Sequence, residues 1–122
     1  MPLNRQQLGR AAEDAAAAFL VSQGFELLAH NYRRRLGELD LIARSRELLL
    51  IVEVRTRSSS RFGGAAASVD ARKRLHLSRA AQQLLQQRPE LSRLYVRFDV
   101  IVVSELDAAT PRIEWLRHAF SG

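Results

Sequence analysis

Two acids, Asp40 and Glu53, stand in apolar surroundings where an isolated carboxylate is costly. Both lie in the stretch 37–57, where two apolar runs flank a polar break from Arg44 to Glu47. Leu48 to Val54 is apolar on both parities except at Glu53, the pattern of a strand buried on both faces. Residues of equal parity in a strand share a face. If the two runs pair as a hairpin with its loop centred between Arg46 and Glu47, Asp40 stands directly opposite Glu53. Their Cβ atoms would then be about 5 Å apart. Two ionised carboxylates that close repel unless a cation lies between them. Carboxylate oxygens and water are the ligands that Mg²⁺ or Mn²⁺ prefers. One reading is therefore a divalent-metal site on a sheet face. The other is structural, with Glu53 paired to Arg55 or to another of the many arginines.

The elements that would position these acids can be read in order. Asn4 with Gln7 forms a capping-box pattern, and Leu8, Ala12, Ala15 and Phe19 recur at helical spacing. A helix is predicted over 5–22, with Gly24 as its stop. Glu13 lies beside its apolar stripe, either solvated or reaching across to the sheet. Strands follow at 25–32, 38–44 and 48–56. The segment 58–68, with Arg61, Phe62, Gly63 and Gly64, reads as a mobile loop. A second helix is predicted over 70–87, capped by Asp70, with Leu77, Ala80, Ala81, Leu84 and Leu85 as its buried stripe. Lys73 lies on that stripe, four residues before Leu77, and so points toward the sheet. A buried strand over 94–103 and a shorter edge strand over 113–120 complete the order. Trp115 and Phe120 read as packing residues. The order of elements by itself gives α/β or α+β.

Composition bounds the partners. The chain has 122 residues, enough for one domain with a real core, and no cysteine. Met1 to Arg10 lacks the apolar core of a signal peptide, and no apolar run reaches membrane-spanning length. A cytoplasmic protein without a membrane partner is expected. Net charge is +6, which favours polyanions such as nucleic acid. Of the 19 Lys and Arg residues only Lys73 is Lys, so an arginine-rich proteome explains part of that balance. Arg33, Arg34, Arg35, Arg57, Arg61 and Arg72 are candidate phosphate contacts, or simply solvated charges. His30, His76 and His118 have no ligand spacing.

Asp40 followed by Glu53-Val54-Arg55 after a hydrophobic strand resembles the PD-(D/E)xK nuclease signature. The wider pattern resembles the YraN family of bacterial proteins, related to archaeal Holliday-junction resolvases. The features are Gly9 with Glu13, Asn31 and Arg33, the run from Gly37 to Ala43, and Glu53-Val54-Arg55. Phe62-Gly63, Lys73, Arg97-Phe98-Asp99-Val100 and Ala119-Phe120 continue it, so the match spans nearly the whole chain in order. One position departs: the family motif normally ends in Lys, and here it is Arg55. The resemblance implies a restriction-endonuclease-like single α/β domain over 1–122, a mixed central sheet flanked by helices.

It also implies metal-dependent hydrolysis of nucleic-acid phosphodiesters, with branched DNA among the candidate substrates. Asp40 and Glu53 would bind Mg²⁺ or Mn²⁺, with the Val54 carbonyl as a third ligand and Glu13 as the first-helix acid. Arg55 supplies charge and hydrogen bonds but cannot serve as a base. Lys73 is the candidate to stand in for the motif Lys, on its direction alone. Two other readings stay open: a nucleic-acid-binding protein without turnover, and a basic module for an acidic protein partner. A homodimer is left open as well.

Overall fold

The computed structural model describes residues 4–34, 37–57 and 69–121, without the side chains of residues 33, 34, 37 and 38. Helix α1 (Arg5–Ser22) opens on the expected capping box. Gln7 N–H donates to Asn4 Oδ1 at 2.8 Å, and Asn4 N–H donates to Gln7 Oε1 at 3.0 Å. It ends at Gly24, whose φ of +94° lets the chain reverse. Gly24 N–H donates to the Val21 carbonyl and Phe25 N–H to the Leu20 carbonyl, which satisfies two orphan acceptors of the last turn. The buried face of α1 is Ala12, Ala16, Ala17 and Leu20. Three alanines there let the helix axis lie close to the sheet.

Three strands follow as a meander: β1 (Glu26–Arg34), β2 (Gly37–Arg44) and β3 (Leu48–Arg57). Helix α2 (Ala71–Gln87) starts at Asp70, whose Oδ1 accepts from Lys73 N–H at 2.8 Å. It buries Leu77, Ala80, Ala81 and Leu84. A 3₁₀ turn at Pro89–Arg93, not foreseen from the sequence, leads into β4 (Tyr95–Ser104) and then β5 (Arg112–Phe120). The five strands lie in sequence order in one sheet. Only β3 and β4 run parallel; every other neighbouring pair is antiparallel. The result is a mixed α/β sheet with, among the described residues, one helix on each face, consistent with a restriction-endonuclease-like fold.

Each face has its own core. Leu41, Ala43, Leu50, Val52, Ile101 and Val103 pack under α1. Ile42, Leu49, Ile51, Phe98 and Phe120 pack under α2 with its leucines. This division follows strand parity except in two places: Leu28 and Ala29 both pack on the α2 side at the bulge in β1, and Leu39 joins the α2 core together with Tyr32. Asn31, between the paired residues His30 and Tyr32, has φ +48°, which breaks the alternation of β1. Trp115 stands edge-on to Phe19 and Phe25, and Phe98 stacks on Phe120 at 4.8 Å, so both aromatic positions are packing residues as expected. Among the described residues no helix is long and apolar enough to cross a membrane.

Leu50, fully buried beneath α1, tests this packing. Leu50→Ala should lower unfolding free energy by about 2–5 kcal/mol, read from urea denaturation. A loss below about 1 kcal/mol would mean that α1 collapses onto the gap.

Candidate functional site

The hairpin register that brings the acids together runs from Arg44↔Leu49 to Leu41↔Val52. One further step would oppose Asp40 and Glu53, as the loop position predicts. At that step the backbone ladder gives way to a side chain. Val54 N–H donates to Asp40 Oδ2 at 2.9 Å. The carboxylate therefore closes the end of the ladder just where β2 parts from β3. Asp40 is half-buried there and Glu53 is 5% exposed.

Burial is the largest influence on Asp40, and its carboxyl is pushed up to about 8. The Glu53 charge and a hydrogen bond with Glu53 push the same way, and the Glu13 charge adds a little. The Val54 N–H bond works against them by favouring the ionised form. As two carboxylates the pair lacks a donor, and Glu53 Oε1 is buried without a hydrogen-bond partner. A proton on Asp40 supplies the hydrogen bond to Glu53 that two carboxylates cannot make.

Cations gather on the other oxygen of Glu53. Arg55 Nε lies 3.1 Å from Glu53 Oε2, and Lys73 Nζ lies 3.5 Å from the same atom. Lys73 arrives from the first turn of α2, so the inward direction read from its helical stripe is the one found. Glu13 is near enough to Asp40 to be felt as charge. Among the described residues no group of three or more His, Cys, Asp or Glu stands ready to hold a metal. Asp40 and Glu53 are the two acids that the hairpin brings together.

The other candidates are more scattered. Arg72 is exposed on α2. Arg57 was expected beside a mobile loop; its side chain is only 9% exposed, and Nη1 lies 3.5 Å from Glu114 Oε2 on β5. Glu114 has no sequence signal of its own, because the pairing depends on the register of β5 against β4. Arg35, Arg61, Phe62, Gly63, the expected loop over 58–68 and the side chains of Arg33, Arg34 and Glu38 lie outside the described residues.

Asp99, noted in the sequence only as part of a motif, has a structural role. It is fully buried. It accepts from Arg97 Nε at 2.9 Å, Arg97 Nη2 at 3.0 Å, Trp115 Nε1 at 2.9 Å and His118 N–H at 2.9 Å. The last bond pins the register shift between Phe98 and Val100, where His118 has φ +51°. Asp99 lies opposite Val52, on the face away from Glu53.

The raised Asp40 makes stability depend on pH. An unfolded Asp titrates near 3.8, and the folded one near 8. Between those values the folded chain keeps a proton that the unfolded chain has lost, so this residue removes stability as pH rises through the window. Asp40→Asn keeps an acceptor for Val54 N–H and cannot ionise. In chelator-containing buffer its Tm should fall less than the wild type's between pH 5 and about 8. Parallel Tm profiles would mean that Asp40 titrates normally.

Residues 12–103 match the model described as Uncharacterised protein family UPF0102. A UPF0102 protein of Xanthomonas campestris pv. campestris is 49% identical over 120 residues, covering 98% of this chain and 96% of the relative. One from Frankia casuarinae is 44% identical over 116 residues, covering 95% of this chain and 98% of the relative. One from Pseudomonas paraeruginosa is 41% identical over 118 residues, covering 96% and 94%. With a family match spanning both acids, both cations and most of the sheet, and with relatives aligned along almost their whole length, the chain belongs to the UPF0102 family.

Proposed function

We propose that this protein hydrolyses nucleic-acid phosphodiesters with the help of a divalent cation held by Asp40 and Glu53. The observation that carries the reading is the acid pair itself. Asp40 is pushed up to about 8 beside Glu53, and Glu53 Oε1 is buried without a partner. Two such carboxylates gain from a hard cation that both can share. Their donor set fits Mg²⁺ or Mn²⁺, since Mg²⁺ is usually held by one or two carboxylates and keeps several waters. It does not fit an ion that needs a full protein cage. When bound, the cation would acidify a water and neutralise charge growing on the phosphate.

The chain's own residues prepare the site. Val54 N–H orients Asp40. Arg55 and Lys73 hold Glu53 from one side. Lys73, with its side chain 40% exposed, keeps donors free for a phosphate oxygen at the rim. The net charge of +6 favours a polyanionic substrate.

A second reading, nucleic-acid binding without turnover, is favoured by Arg55. Arginine cannot act as a base, and its Nε is committed to Glu53.

Calorimetric titration of Mn²⁺ and cleavage of branched, linear and single-stranded DNA and of RNA separate the two. Wild type should bind one Mn²⁺ per chain, and Glu53→Ala should lose both binding and cleavage. If Arg55 limits turnover, Arg55→Lys should speed cleavage by roughly 10²-fold. Cleavage seen only in that variant identifies a scaffold silenced at one position. No Mn²⁺ binding and no cleavage in either background would sink the hydrolytic reading and leave the binding one.

A further inference from the structure

Arg57 is the cation that the acid pair does not use. It follows Glu53 and Arg55 at alternate positions of β3, so all three face the α2 side of the sheet. By register Arg55 lies opposite Val102, and Val102 opposite Glu114, so Glu114 belongs to the row of Arg55. Arg57 itself is in the next row, opposite Ser104. To place Nη1 3.5 Å from Glu114 Oε2, Arg57 must lean across β4 and back toward the Arg55 row. Its head therefore lies over β4, in the row that begins at Arg55.

The contact with Glu114 is incomplete. It engages Nη1, while Arg57 Nε is buried without a hydrogen-bond partner. The same chain shows a filled arginine fork: Arg97 turns Nε and Nη2 together onto the two oxygens of Asp99, at 2.9 and 3.0 Å. Arg57 offers the same edge with nothing on Nε. A buried unsatisfied N–H on a charged group is costly and points to a missing partner. Glu114 is 47% exposed and free to swing into water, whereas the Arg57 side chain is 9% exposed and held.

We infer that Arg57 is a phosphate-binding residue, and that Glu114 occupies its guanidinium until a phosphodiester of nucleic acid displaces it. Once Glu114 leaves Nη1, the guanidinium can turn outward and meet two non-bridging phosphate oxygens with its fork, as Arg97 meets the carboxylate of Asp99. Arg55 and Arg57, on the same face of β3, then line a basic path from this subsite toward the acids. This inference rests on the nucleic-acid reading above, but binding is required here and hydrolysis is not.

The test is binding of a fluorescein-labelled single-stranded DNA oligonucleotide in EDTA, at several salt concentrations. Glu114→Gln removes the internal competitor and should tighten binding several-fold. Arg57→Gln should weaken it about tenfold and reduce the slope of log affinity against log salt by about one. Arg57→Lys keeps the charge without the fork, and should fall between wild type and Arg57→Gln. It serves if Arg57→Gln does not fold. Unchanged or weaker binding in Glu114→Gln, or wild-type affinity and slope in the folded Arg57 variants, would overturn the inference. So would a thermal shift with inorganic phosphate but no oligonucleotide binding. Because no metal is present, those failures leave the Mn²⁺ and cleavage results to judge hydrolysis on their own.

Discussion

The bond from Val54 N–H to Asp40 Oδ2 is the constraint around which this molecule is arranged. It uses an acid side chain where the next rung of a backbone ladder would be. β2 can then leave β3 without abandoning a buried donor. The same bond turns Asp40 inward beside Glu53, where burial and a like charge disfavour its ionisation. What terminates the hairpin also creates the electrostatic problem. The two helices reach it from opposite faces: α2 brings an ammonium that relieves it, and α1 a further carboxylate that adds to it.

The chain contains two buried acids with opposite designs. Asp99 has its oxygens filled by three side-chain hydrogens and one backbone N–H, and it fastens β5 to β4. Glu53 has two cations on one oxygen and, on the other, no donor beyond the proton it can share with Asp40. A saturated carboxylate rigidifies its surroundings, while a half-satisfied one retains capacity for a ligand. That contrast, within one fold and at similar burial, separates the structural motif around Asp99 from the site around Glu53.

Much of this was legible in the sequence because local rules carried it. The capping box at Asn4, the cap at Asp70, the stop at Gly24 and the apolar periods of both helices are short-range signals. The hairpin register followed from the polar break at 44–47, and so did the meeting of Asp40 and Glu53. Lys73 was legible from helical direction. Leu39 was not: its side-switch comes with a positive φ at Asn31 and the parting of two strands, neither of which a parity count contains. The Arg57–Glu114 contact and the grip on Asp99 were also hidden. Both depend on where β5 slides against β4, across a register shift that no spacing in the chain announces.

The single parallel pairing sets an order of assembly. Strands β2 and β3 close through a tight turn, Arg44 against Leu49. Leu48 meets Tyr95 only after the chain has run through α2 and back. Local hairpins form in microseconds, while distant pairings wait for costly loop closure. The acids are therefore side by side early in folding, before α2 can dock Lys73 against them. During that interval the burial that raises Asp40 in the folded chain is not yet in place, so both carboxylates are ionised at neutral pH and their repulsion opposes the hairpin until Lys73 docks.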